Sequence, residues 1–173
     1  METLNGDHIS LRALEPEDLS FLKMIENDQA IWEVSHTQTP YSSYILKEYL
    51  KNSHKDIYEI KQLRLVIDHL EEAIGLIDLF DFDPKNKRAG VGVIIAAGAN
   101  RNKGYGSEAV QLLIKYAFTY LGVHQLYCNI SEDNRPSIQL FESCGFKQVG
   151  LKKDWNFING DYKSEFLYQL IRP

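Results

Sequence analysis

The sequence contains only two cysteines, Cys128 and Cys144, among 173 residues. That is too few for a disulfide framework or a thiolate metal cluster, so both are read as small core residues in a reducing compartment, and no metal is expected. Positive charge is not in excess: 19 Lys and Arg stand against 24 Asp and Glu, a net charge of -5 at pH 7. A mildly acidic chain is a poor match for a nucleic-acid backbone and is compatible with a cationic substrate. No apolar run approaches the length of a membrane span, and the opening "METLNGDHISLRALEPEDL" has no apolar signal core. No membrane partner and a cytoplasmic location are therefore expected. Repeats and low-complexity tracts are also missing. At this length one domain, residues 1–173, is expected, large enough to bury a core.

What is present reads as alternating elements. "HISLRAL" alternates like a short strand, and "PEDLSFLKMIEND" opens with Pro and two acids, then places Leu19, Leu22 and Ile25 on one helical face. "YSSYILKEYLKNS" reads as a second helix. "LRLVID", "AIGLIDLF" and "AGVGVIIA" read as strands, the last two separated by the turn "DFDPKNKR". From Gly104 to Leu121 the apolar residues follow a helical period. "HQLYCNIS" is a strand. "NRPSIQLFESC" is a short helix, with Asn134 as its N-cap and Gly145 past its end. "FKQVGLKKDWNFI" and "KSEFLYQLI" form a hairpin around "NGD". The order β-α-α-β-β-β-α-β-α-β-β predicts an α/β protein of the α+β type. Its sheet should be mixed, mostly antiparallel, of about seven strands, with helices on both faces.

The stretch "NRNKGYGSEAV" turns the buried strand into the long helix. A helix start offers free backbone N–H groups and partial positive charge, glycines admit a bulky anion, and Arg101 and Lys103 add cations. In physical terms this is a phosphate site, although glycines that serve only a tight turn would look the same. A Walker A loop is excluded, because Lys103-Gly104 is in the wrong order and no hydroxyl follows. The "GVG" at Gly90 to Gly92 lies in an apolar strand, not in the first turn of a βαβ unit, so a dinucleotide fingerprint fits poorly.

Arg101-x-x-Gly104-x-Gly106 resembles the Q/R-x-x-G-x-G/A signature of the GNAT N-acetyltransferases. "SEAVQLLIKYAF", "NISEDNRPSIQLFESCGFKQVG", "NFINGDYKSEFLYQL" and "LRALEPEDL" resemble further parts of that family in the right order, over nearly the whole chain. Within it, the chain is most similar to the branch of spermidine/spermine and ribosomal-protein N-terminal acetyltransferases. The resemblance implies acetyl-CoA as cosubstrate and transfer of its acetyl group to a primary amine. It implies that backbone N–H groups of Asn102, Lys103, Gly104, Tyr105 and Gly106 hold the pyrophosphate beside Arg101. It implies that Ile94, Ile95 and Ala96 pair with the pantetheine arm, one of their N–H groups polarising the thioester carbonyl. Asn134 would contact the cofactor near the thiol, as well as or instead of capping its helix.

The chemistry needs two proton movements. Keeping an amine of pKa ~10.4 neutral at pH 7 costs on the order of 4–5 kcal/mol, whereas releasing a thiolate of pKa ~8.5 without an acid costs only ~2 kcal/mol. The base, or a water path, therefore matters more than the acid. The resemblance places a tyrosine acid where this chain has Phe141, which has no proton to give. Tyr127 and Tyr105 are the nameable substitutes, if they are not simply core residues. For the base, Asp78 stands amid apolar strand residues. It either faces the cleft, where burial would raise its pKa, or is an exposed alternation residue. Glu33 and Trp32, in the loop after the first helix, fall where the resembling enzymes line the acceptor pocket. A solvated loop charge is the plainer reading of Glu33. His36 and His54 read as ordinary surface or packing histidines. The acidic stretch of polyamine enzymes is weak here. The expected partner is thus a small-molecule amine, polyamine-like or otherwise, with a protein N-terminus as the alternative and homo-oligomerisation left open. A catalytically weak acyl-CoA-binding protein is a third reading, prompted by Phe141.

Overall fold

The computed structural model describes residues 2–98 and 100–173. One seven-stranded sheet runs through it in the order β1-β2-β3-β4-β5-β7-β6. The strands are β1 (Ser10–Ala13), β2 (Leu63–His69), β3 (Glu72–Asp83), β4 (Arg88–Ile95), β5 (Gln125–Ser131), β6 (Lys147–Ile158) and β7 (Asp161–Ile171). Every neighbouring pair is antiparallel except β4 and β5. The mixed, mostly antiparallel sheet expected from the sequence is what forms.

The helices are α1 (Leu19–Glu26), α2 (Gln29–Ser35), α3 (Ser43–Lys51), the single turn α4 (Ile57–Ile60), α5 (Tyr105–Thr119) and α6 (Arg135–Ser143). The sequence reading missed α2 and α4, and both have a cap it could have used. Asp28 accepts from the Ala30 N–H at 3.0 Å, and Asp56 from the Tyr58 N–H at 2.7 Å. Trp32 and Glu33 therefore lie on a helix, not in the loop expected. Pro16–Asp18 forms a 3-10 turn ahead of α1, so the first helix starts three residues later than its Pro suggested.

Strands β2 and β3 read as unbroken apolar runs because both faces are covered. Leu65, Ile67, Ile77 and Leu79 pack with Ala109, Val110, Leu113 and Ile138 of α5 and α6. Val66 and Leu76 pack on the other face with Leu22, Ile25, Ile31 and Leu46 of α1, α2 and α3. The edge of the α1–α3 face carries a half-buried ion pair. At β1, Arg12 donates to both oxygens of Asp18 (2.9 Å each) and to Asp68 (2.9 Å).

The Arg12 hydrogen bonds, with the Glu15 N–H, hold the Asp18 carboxyl below its ordinary 3.8. The folded chain thus takes up this proton less readily than the unfolded one. The stability involved is fully present above the unfolded value and is lost as pH falls through the depressed folded value. In a series of urea titrations, Asp18→Asn should cost most stability above about pH 4 and progressively less toward about pH 2.

Candidate active site

The pairing of β4 with β5 covers only Arg88 to Gly90 against Gln125 to Tyr127. Beyond Gly90 the two strands part, β4 staying with β3 and β5 staying with β7. Ala96 donates its backbone N–H to Ile74 on the β3 side at 2.8 Å. Antiparallel bonding alternates, so Ile94 also turns its backbone to β3, while Val93 and Ile95 turn theirs into the gap. Arg101 Nε donates to the Ile95 carbonyl there at 3.2 Å. Of the expected pairing residues Ile94, Ile95 and Ala96, only Ile95 offers backbone to the gap. Val93, which the sequence reading passed over, does the same.

A cavity of about 710 Å³ fills the lower part of the gap, lined by Ile94, Ile95, Arg101, Asn102, Gly104, Tyr105 and Gly106 among others. Lys103 is exposed and not part of this lining. Gly104 is the N-cap of α5 at φ +82°, with no side-chain cap on the N–H groups that open the helix, and Gly104, Tyr105 and Gly106 all line the cavity. A Cβ on Gly104 would meet nothing within 4 Å: the space above this turn is open. A Cβ on Gly106 would come within 2.9 Å of Leu140 Cδ1, which is how α6 packs closely on the helix start. An apolar channel ending in free helix N–H groups and an arginine fits a nucleotide-bearing thioester. The cradle is anchored from behind. Burial opposes ionisation of Glu108, but the N–H groups of His8 and Ile9 and the His8 ring keep its carboxyl below the ordinary value. The Tyr105 hydroxyl lies 3.4 Å from His69 Nε2, away from the gap's centre.

A second cavity of about 460 Å³ opens on the other side of the gap. The two share Ala30, Val34, Val93, Asn134 and Ser137 in their linings, so they adjoin. Asn134 caps α6 by accepting from the Ser137 N–H at 3.3 Å, and it lines both cavities as well. The second cavity is polar and charged. Glu33 of α2 and Asp133 both accept from Lys163 Nζ, at 2.6 and 2.8 Å. Buried Glu165 accepts from Lys152 Nζ at 2.6 Å and from Asn156 at 3.3 Å. Lys163 is held above its ordinary pKa by Asp133 and then Glu33, and Asp133 is held below its own chiefly by Lys163.

The other expected residues divide. Phe141 lines the second cavity, buried and edge-on to Phe146 at 5.1 Å. Tyr127 packs edge-on to Phe80 and lines neither cavity, and burial raises its pKa, so it is no substitute acid. Trp32 also lines neither; its indole N–H donates to the Glu26 carbonyl at 3.0 Å and fastens α2 to α1. His36 lines the second cavity at the end of α2, whereas exposed His54 bonds only its local Lys51 carbonyl at 2.8 Å. Asp78, the expected base, is bound in an ion pair. Arg64 takes both its oxygens, at 2.7 and 3.0 Å, and also pairs with Glu26. Asp133, Lys163 and Glu165 were missed because no local pattern marks them. They converge only when β7 is laid beside β5.

The acetyltransferase (GNAT) domain family matches residues 8–147. The spermidine N(1)-acetyltransferase of Vibrio cholerae serotype O1 is 31% identical over 159 residues, 91% of this chain and 90% of that protein. The crystal structure of spermidine N-acetyltransferase from Vibrio cholerae in complex with CoA and spermine superimposes with a TM-score of 0.84 at 29% identity, covering 96% of each chain. A dodecameric structure of the Vibrio cholerae spermidine N-acetyltransferase superimposes with a TM-score of 0.79 at 29% identity, over 96% of this chain and 95% of that one. This chain belongs to the GNAT acetyltransferases. It is an N-acetyltransferase that takes its acetyl group from acetyl-CoA and delivers it to an amine.

Two substitutions separate the cradle from the ion pairs. Gly104→Val puts a β-branched side chain at positive φ and into the open space. It should lower CoA affinity by at least about tenfold in calorimetric titration, with the fold retained. Asp78→Asn leaves Arg64 with Glu26 alone. It should cost on the order of 2 kcal/mol in urea unfolding while CoA affinity stays within about twofold.

Proposed function

We propose that the acceptor is a primary amine at the end of a polyamine-like small molecule, attacked while it lies in the carboxylate-lined cavity. The observation that carries this reading is the shared wall of Val93, Asn134 and Ser137. It joins a phosphate-binding channel to a pocket bearing Glu33, Asp133 and Glu165. Similarity to two spermidine acetyltransferase structures supports the cationic acceptor.

When bound, acetyl-CoA supplies a thioester already activated for attack. The open-space turn at Gly104 and the N–H groups of Tyr105 and Gly106 hold its phosphates, with Arg101 alongside. Backbone of Val93 and Ile95 would align the arm as a neighbouring strand does, and one of these N–H groups would donate a hydrogen bond to the carbonyl oxygen as charge develops there. Asn134 orients the thiol end. Each of the three carboxylates lining the acceptor cavity already has an ion-pair partner. They therefore orient an ammonium, and its proton leaves through water at the cavity mouth. Asp78 acts as a positioning residue: its register partner Gly92 forms part of the acceptor wall.

Two further parts of this reading concern the setting. Both cysteines are free thiols, which suits a cytoplasmic location. The outermost strand β6 exposes Val149, Leu151, Trp155 and Phe157, a surface suited to contact between copies in a homo-oligomer.

The test is free-thiol release from acetyl-CoA across a panel of amines, with turnover expected on di- and triamines. Turnover confined to peptide N-termini would overturn the small-molecule reading. Phe141→Tyr places a hydroxyl on the cavity wall. Since unassisted thiolate release costs only ~2 kcal/mol at neutral pH, the gain in kcat should be no more than somewhat over tenfold. A gain of many hundredfold would mean that the natural chain is a disabled enzyme.

A further inference from the structure

The three residues of the Glu33–Lys163–Asp133 bridge come from three elements: α2, β7 and the turn before α6. All three line the acceptor cavity. The bridge is an ammonium held between two carboxylates, inside a pocket read above as a receptor for an ammonium. We propose that Lys163 is a tethered ammonium that occupies the docking place of the acceptor's distal cation, so that an acceptor with a second positive charge must displace it and binds more weakly than it would without the tether. The inference rests on the reading of this cavity as the acceptor site.

Four observations carry it. The first is geometry. Lys163 Nζ lies 2.6 Å from Glu33 Oε1 and 2.8 Å from Asp133 Oδ2, the arrangement that the end of an alkylammonium chain would adopt. A lysine side chain is itself such a chain, fixed at one end to β7. The second is charge. Glu33 and Asp133 contribute two negative charges and Lys163 one positive, so this wall carries -2 + 1 = -1 with the tether in place and -2 without it. The third is position. The side chains of Lys163, Glu33 and Asp133 are 28%, 38% and 55% exposed, which puts the bridge at the mouth of the cavity. Of the residues common to both cavities, Val93, Asn134 and Ser137, where the thioester is expected, are half-buried and so less exposed than Glu33 and Asp133. The bridge therefore coincides with the far end of an acceptor, not with its reacting amine. The fourth is the strength of the bridge. A solvent-exposed ion pair is weak, and the long lysine stem can swing into water, so an incoming cation can displace the tether.

Lys163 is not itself a plausible acceptor in this place. Attack on a thioester needs a neutral amine, and the two carboxylates favour its protonated form. Its effect is competition for the carboxylates.

The experiment compares the natural chain with Lys163→Met, which keeps the stem and removes the charge. Acceptors are butylamine, 1,4-diaminobutane and spermidine, read by thiol release at saturating acetyl-CoA. The ratio of kcat/KM for each polycationic acceptor to that for butylamine should rise about tenfold in Lys163→Met, the change lying mainly in KM. Adding Glu33→Gln to Lys163→Met should take most of that gain away. An unchanged or lower ratio in a variant that still binds CoA normally would overturn the inference. Equal improvement on all three amines would also overturn it, because the tether would then sit at the reacting amine. Should Lys163→Met lose CoA binding, Lys163→Gln replaces it in the same comparison and is judged by the same ratio. Absence of turnover of any amine by the natural chain would be a different failure. It would remove the acceptor-site reading itself.

Discussion

The structure depends on a pairing that stops early. Strands β4 and β5 are bonded over three residues each and then separate, although both continue for several residues more. Parallel neighbours need a crossover, and here the crossover is α5. Its first turn therefore stands at the open end of the gap, with its free N–H groups beside the strand ends. The gap survives because each strand is fully occupied on its other edge, β4 by β3 and β5 by β7. Two half-sheets lean apart, and the backbone groups of Val93 and Ile95 are left without a neighbouring strand. An extended ligand arm is the partner that such an edge can take.

Charge follows the same division. On the α1–α3 face the cations are structural. Arg64 gathers Asp78 and Glu26 beneath the Tyr49 ring, 5.7 Å from the centroid, and burial of this group makes it a support for the sheet. At the cavity mouth the ion pairs are exposed. Lys163 shares Glu33 and Asp133 in contact with water, where pairs hold loosely and can be exchanged for a ligand. Similar residue types thus give a buried support in one place and a solvent-accessible bridge in another. The difference is access to solvent.

The parts legible in the sequence were those set by local rules. The glycine turn that opens α5 could be read because glycine, cation and helix start are adjacent in the chain. Asn134 announced itself as a cap, and the strands and the last hairpin followed from apolar periodicity and turn residues. α2 escaped because seven residues give little periodicity to count and its cap, Asp28, sits close behind α1. The ion pair of Asp78 was not legible, because a carboxylate among apolar strand residues shows no partner until the neighbouring strand is in register. Arg64 lies directly across from it, 14 residues earlier in the chain.

The amino-acid sequence by itself determined the type and order of most elements, the glycine turn before α5 and the family, because each depends on residues near one another along the chain. Only the tertiary structure decided which backbone groups of β4 face the gap, because hydrogen-bond parity exists only between paired strands. It alone also decided which carboxylates are committed. Glu33, Asp133 and Lys163 are separated by as many as 130 residues and carry no shared pattern. They meet because α2 and the turn before α6 come together at the start of β7, and an ion pair depends on distance in space, not on distance along the chain.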